Sequence, residues 1–161
     1  MAQAAAPLIG NQLALQSAIS MAMVAMYVQG QPSLFHFNWQ GSPEAASADL
    51  PFISVGSAQM TADPFLAFIR RLFWPTTLPT VPEGVFAAVW TVRHAIHTSP
   101  GGVADPIQVI VLEHQAAREL PTTELEETER AIASAERRCA NVVPGAAQPA
   151  PDVPPPPSPA A

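Results

Sequence analysis

The chain has 161 residues and a mass of 17.0 kDa, room for one modest core, since compact domains usually run to about 100–150 residues. It is 48% hydrophobic, 12% charged and free of lysine, which fits a packed fold better than a disordered one. Thirteen carboxylates against seven arginines give a net charge of −6, which argues against nucleic acid and anionic membrane surfaces as partners, because both demand a cationic face.

From the N-terminus, residues 1–19 form a helical segment with a short helix over residues 8–18. The 16 residues from Leu13 to Val28 carry few polar side chains, but a membrane helix needs about 20 apolar residues. A secretory signal would open with positive charge, whereas the first basic residue is Arg70. The segment therefore reads as buried core. Met21 to Val28 is an apolar run of strand length, ambiguous between helix and strand. After Gln29-Gly30-Gln31-Pro32, the stretch Ser33-Leu34-Phe35-His36-Phe37-Asn38-Trp39 puts Phe35, Phe37 and Trp39 on one face, the pattern of a half-buried strand. A hairpin is the cheapest arrangement of the two. A polar loop runs to about Asp49, and residues 51–56 read as a third short strand of an antiparallel sheet.

A helix follows Gly56-Ser57-Ala58, with Thr61 or Asp63 as cap and Pro64 in the first turn. Leu66, Ile69 and Phe73 form its apolar stripe, with Arg70 and Arg71 near solvent and Trp74-Pro75 as the stop. Thr80-Val81-Pro82-Glu83 is a capping box that announces a second helix. Val85, Val89, Val92 and Ile96 follow at helical spacing, and Phe86, Trp90, Arg93 and His97 make a neighbouring stripe, so this helix is sandwiched. Residues 106–113 restore a β-branched strand. A peripheral helix from Thr123 to about Arg138 is capped by Thr123 and Glu126, uses Leu125, Ile132, Ala135 and Cys139 as its thin apolar stripe, and is held partly by Glu126 with Arg130. Trp39, Trp74 and Trp90 supply core area. These elements make a domain over residues 20–138. Residues 139–161 are a Pro-rich tail, with eight prolines in residues 144–161, a composition that favours polyproline II and does not pack. Such a tail can present a ligand to an aromatic-grooved domain.

The succession of the apolar strand, Gln31-Pro32-Ser33-Leu34-Phe35, Phe52-Ile53-Ser54-Val55-Gly56-Ser57-Ala58, a long helix, Pro82-Glu83-Gly84-Val85, Pro100-Gly101-Gly102 and Pro106-Ile107-Gln108-Val109 resembles the C-terminal half of proteasome-type N-terminal nucleophile hydrolases, over about residues 20–113. The resemblance implies an α+β fold: a partial αββα sandwich of antiparallel strands, with two outer helices and the C-terminal helix at its periphery. It also implies chemistry by an N-terminal threonine whose own amine is the base, assisted by a lysine. This chain begins Met1-Ala2-Gln3 and has no lysine. Ser57 corresponds by resemblance to the family's supporting serine, although the next residue is Ala58 and not glycine. His97, Thr98, Ser99 and Pro100 stand where the family places aspartate and serine.

The candidate catalytic positions are therefore supporting ones only: Ser57, His97 and Ser99, with the nucleophile absent. His94 and His97 are spaced i,i+3 and could share a metal, but no further ligand accompanies them on that element, so neither a metal nor a cofactor is expected. The lone Cys139 forms no intrachain disulfide, which points to a reducing, cytoplasmic setting. The sequence thus reads as a non-catalytic proteasome-like subunit or assembly partner, forming homo- or hetero-oligomers through an uncovered sheet face. The alternatives are a truncated threonine-type amidohydrolase whose nucleophile lies upstream or on a partner, and an unrelated α+β interaction module that displays the Pro-rich tail.

Overall fold

The structure is a computed structural model that describes residues 21–99, 101–113 and 116–142. The short helix expected over residues 8–18 and the Pro-rich stretch from residue 144 lie outside the described residues. The fold is α+β, with all strand pairs antiparallel. One sheet contains β1 (Ala22–Val28), β2 (Gln31–Phe37) and β3 (Pro43–Ala45) in the order β1-β2-β3. Two helices follow, α1 (Gln59–Phe73) and α2 (Val81–Thr98), then a two-stranded sheet of β4 (Ile110–Glu113) and β5 (Ala116–Glu119), and finally α3 (Thr122–Val142).

The apolar run settles as strand β1, joined to β2 by a two-residue turn tighter than the four-residue connection expected. Gln29 and Gly30 both have positive φ, 51° and 79°, the backbone a type I′ hairpin turn requires. Pairing runs from Ala22 opposite Phe37 to Val28 opposite Gln31. Beyond β2, the Asn38 side-chain oxygen accepts from the amides of Gln40 and Ser42, at 2.9 and 3.0 Å, and closes a local turn. Trp39 rides on that turn and is 63% exposed, so it contributes no core area, unlike Trp74 and Trp90, which are buried.

Residues 51–56 are half-buried for the most part but belong to no sheet; the third strand is β3, which pairs Ala45 with Phe35. Helix α1 starts a turn earlier than Thr61 or Asp63 would allow. The amides of Thr61 and Ala62 bond to the Ala58 carbonyl at 3.0 and 2.9 Å, so backbone turns nucleate the helix without a side-chain cap, and Pro64 falls inside it. Helix α2 begins as its sequence dictates: the Glu83 carboxylate accepts from the amide and hydroxyl of Thr80 at 2.8 and 2.7 Å. Of residues 106–113 only β4 is strand. Helix α3 starts at Thr122 and runs to Val142, which places Thr123 inside the first turn and not at the cap. Arg130 donates to the Glu126 backbone carbonyl at 3.3 Å rather than to its carboxylate.

The core lies among the helices. Ile69, Trp74, Ala87, Val89, Trp90, Ile132 and Ala135 are its buried members, with Phe65, Val85, Phe86, Ile107, Val109 and Leu125 packed against them. Helix α2 is indeed sandwiched, with α1 on one flank and α3 on the other. Trp90 sits at the centre: its ring meets Phe65 and Phe86 edge-on, at centroid distances of 5.7 and 5.3 Å, and its indole N–H donates to Glu136 of α3 at 2.9 Å. No residue of the three-stranded sheet is buried. Among the described residues the buried core is therefore made of helix faces and not of a layer between two sheets.

Ile69, 1% exposed, anchors α1 to this core, and Ile69→Ala is expected to cost about 2–5 kcal/mol in denaturant unfolding. Met60, 89% exposed on the same helix, should tolerate alanine within about 0.5 kcal/mol; equal costs at the two positions would contradict the packing. The Thr80 amide and hydroxyl, with a smaller contribution from Trp74, hold the Glu83 carboxyl below its usual range. A depressed carboxyl stabilises above its unfolded pKa, and that contribution is lost as pH falls through the folded value. The stability margin over Glu83→Ala should accordingly be present at neutral pH and shrink on acidification below the ordinary carboxylate range. A margin that does not change with pH would contradict this assignment.

Candidate functional site

A groove of about 700 Å³ runs between the three-stranded sheet, residues 51–58 and helices α1 and α2, within the span of about 300–1,000 Å³ typical of ligand sites. Its sheet wall is Met23, Ala25 and Leu34, and its helix wall includes Leu66, Ile69, Ala88, Val92 and Ala95. Phe52, Ile53, Val55, Val103 and Ile110 complete the apolar lining. Arg70 is the one charged side chain among the lining residues. Its guanidinium donates to the carbonyls of Trp74 and Ala48, and its Nε is buried without a partner among the described residues.

Serine and threonine hydroxyls gather at the rim. Ser57, exposed in the bend before α1, donates to the Gly102 carbonyl at 2.9 Å. The Gly102 amide donates to the Ser99 carbonyl at 3.1 Å, and the Ser99 hydroxyl lies 3.3 Å from that of Thr61. Two of the three positions singled out from the sequence, Ser57 and Ser99, thus meet at one corner, joined by the turn at Gly101 and Gly102. A side-chain Cβ placed on Gly102 would stand 2.7 Å from the Ser57 oxygen and 3.0 Å from its Cβ, so glycine is what allows the approach. Ser54 and Asp63 add a short hydroxyl-to-carboxylate hydrogen bond nearby. The sequence reading missed that pair, since residues nine apart across a bend carry no periodic signal.

His97 goes elsewhere. Its Nδ1 is 2.8 Å from the Arg93 carbonyl on its own helix, and its ring lines a separate cleft of about 520 Å³ between α2 and α3, with Arg93, His94, Glu129 and Glu136. That cleft is already charge-paired. Arg93 bonds to Glu129 and, at 2.7 Å, to Asp105; the hydrogen bond to Glu129 is the main reason its guanidinium is held even more firmly protonated than usual, against the opposing effect of burial. His94 stacks on Phe65 with ring centroids 4.2 Å apart. No group of three or more His, Cys, Asp or Glu side chains among the described residues is placed to hold a metal ion.

Among the groove's lining residues the hydroxyls of Ser54 and Ser57 have no imidazole or ammonium beside them, and the carboxylate hydrogen-bonded to Ser54 is that of Asp63; a serine nucleophile needs an adjacent base. No protein-family model matches the chain, and no curated protein matches it significantly. Among the described residues no helix is long and apolar enough to cross a membrane.

The close approach at the rim is open to test by a double-mutant cycle. Gly102→Ala should destabilise the fold, and the penalty should diminish in a Ser57→Gly background, where the obstructing side chain is gone. Strictly additive losses in thermal unfolding would show that the two residues do not meet as described.

Proposed function

We propose that this chain is a proteasome-like subunit of N-terminal nucleophile hydrolase type without a nucleophile of its own, acting in the cytoplasm as a non-catalytic assembly partner. One observation carries the reading: the outer face of the three-stranded sheet is apolar and open. Alternation along paired strands puts Met23, Ala25 and Leu34 on the groove side together with Tyr27, His36 and Glu44, and Ala22, Val24, Met26, Val28, Phe35 and Phe37 on the other side. An exposed apolar face of this kind marks an interaction surface. Here Val24, Met26 and Val28 are 37%, 45% and 39% exposed.

Strands of seven residues extend about 23 Å, and three strands measure about 14 Å across, a projected face on the order of 300 Å². At about 25 cal/mol per Å², covering it is worth roughly 7 kcal/mol before costs, comparable with the whole stability of a small domain. A standard interface buries about 800 Å² per partner, so assembly needs adjoining surface as well. The edge of β1, which has a strand on one side only among the described residues, is contiguous with this face. The proline-rich tail is a second route to a partner by its composition alone.

The clustering of Thr61 and Ser99 near Ser57, which lines the groove, favours a second reading, in which the chain is part of an active amidohydrolase whose nucleophile comes from elsewhere. Two measurements test these readings. Sedimentation of the full chain should show a species larger than one chain that dissociates on dilution, and a compact monomer at all concentrations would count against assembly. Hydrolysis of fluorogenic peptides by the chain alone should stay at background. A rate above background in the chain alone would contradict both readings, since each places the nucleophile outside it.

A further inference from the structure

The groove side of the sheet raises a separate question, independent of what covers the outer face. The helix wall of the groove is one face of each helix, from Gln59 to Arg70 on α1 and from Gly84 to Ala95 on α2. At a rise of 1.5 Å per residue each stretch is about 16 Å long. The Ser57 hydrogen bond to Gly102 and the contact of Thr61 with Ser99 join the start of α1 to the end of α2, so the two faces run antiparallel. Arg70 therefore stands at the opposite end of the trough from that hydroxyl-bearing corner. Between the two ends the wall is Ala62, Leu66, Ala88 and Val92, an apolar lining that water disfavours.

The charge pattern of the trough selects among occupants. Arg70 is its single cation, and no carboxylate lines it. Arg93 and Arg118 are paired with acidic side chains, whereas Arg70 has no such pair among the described residues. Its terminal nitrogens each give one hydrogen to a neutral carbonyl, of Trp74 and of Ala48. Those bonds hold the guanidinium in place and leave a second N–H on each nitrogen. Asp49 lines a neighbouring cleft that Arg70 also borders, without an ion pair between them. We propose that the trough binds a single-chain amphipathic carboxylate of the fatty-acid class, its hydrocarbon along Leu66, Ala88 and Val92 and its carboxylate at Arg70. A carboxylate makes charge-assisted hydrogen bonds to a guanidinium, and a lone cation among apolar walls matches one negative charge on a hydrocarbon body. A doubly charged phosphate ester meets no second cation, since Arg71 lines the neighbouring cleft and not the trough. A wholly apolar molecule desolvates the guanidinium without compensating its charge.

The test uses the full-length chain and two probes of equal chain length, dodecanoate below its micelle concentration and uncharged dodecanol, each titrated against a bound apolar fluorescent dye. Dodecanoate should displace the dye more tightly than dodecanol does. Arg70→Gln should remove that preference, weakening dodecanoate about tenfold or more and leaving dodecanol unchanged. Arg71→Gln changes the net charge equally at an exposed position outside the trough and should keep the preference. Ala88→Trp, at an exposed position midway along the trough, should block both probes while the circular dichroism of the helices stays as in the parent. This last variant leaves Arg70 untouched, so it decides the matter even where Arg70→Gln does not fold. Equal affinity of the parent for the two probes, no displacement by dodecanoate, equal losses in Arg70→Gln and Arg71→Gln, or undiminished binding to Ala88→Trp would each overturn the assignment.

Discussion

The burial of α2 between two other helices is the constraint on which the remaining structure depends. Val89, 1% exposed, and Trp90, 7% exposed, fill the middle of that helix, and Trp90 is held from three directions by Phe65, Phe86 and the Glu136 carboxylate. A buried indole requires an acceptor for its N–H, so the position of α3 is fixed by a hydrogen bond as well as by Ile132 and Ala135. Arg93 reinforces the same junction through Glu129 and ties the loop at Asp105 to it. With α2 locked, its C-terminal end delivers Ser99 and the Gly101-Gly102 turn to the bend at Ser57, and its other flank becomes the wall of the groove.

The sheet stands outside this helical core, and its two faces have different fates. One looks into the groove, where helices α1 and α2 come near without closing over it. The other carries Val24, Met26 and Val28, each more than a third exposed. A protein that makes its own core from helices while keeping an open apolar sheet face has solved only part of its burial problem. The hydrophobic effect is proportional to area and indifferent to which chain supplies the cover, so the unsolved part is a physical argument for association. The net charge of −6 disfavours indiscriminate self-association, while the outer sheet face itself carries no charge to oppose a specific partner.

Local signals in the sequence were legible where a residue type admits few backbone solutions. The Thr80 and Glu83 capping box and the stop at Trp74 lie where their chemistry places them, the hairpin turn falls at Gln29-Gly30 but is two residues shorter than expected, and the amphipathic patterns of α1 and α2 return Ile69, Val89 and Trp90 to the core. Legibility ended where the outcome depends on partners distant in sequence. Residues 51–56 alternate like a strand, but alternation cannot supply a neighbouring strand, so they line a groove instead. Trp39 has a core-type side chain and sits on a local Asx turn outside the core. At the candidate site, Ser57 and Ser99 are brought together by tertiary structure through Gly102. His97, near in sequence to Ser99, leaves with the opposite face of its helix, a separation that helical geometry imposes and that simple proximity in the chain conceals. The resemblance to proteasome-type hydrolases rests on residue order and spacing alone.

The most direct test of the central claim is the mass in solution of Met26→Glu, a charge placed in the middle of the outer sheet face, on a strand that carries none of the helical core. The account predicts that the variant sediments as a single chain under conditions where the parent chain is larger, with the helical core unfolding at an unchanged denaturant midpoint. A variant that sediments with the same mass as the parent would contradict the claim that this face is where the protein meets its partner.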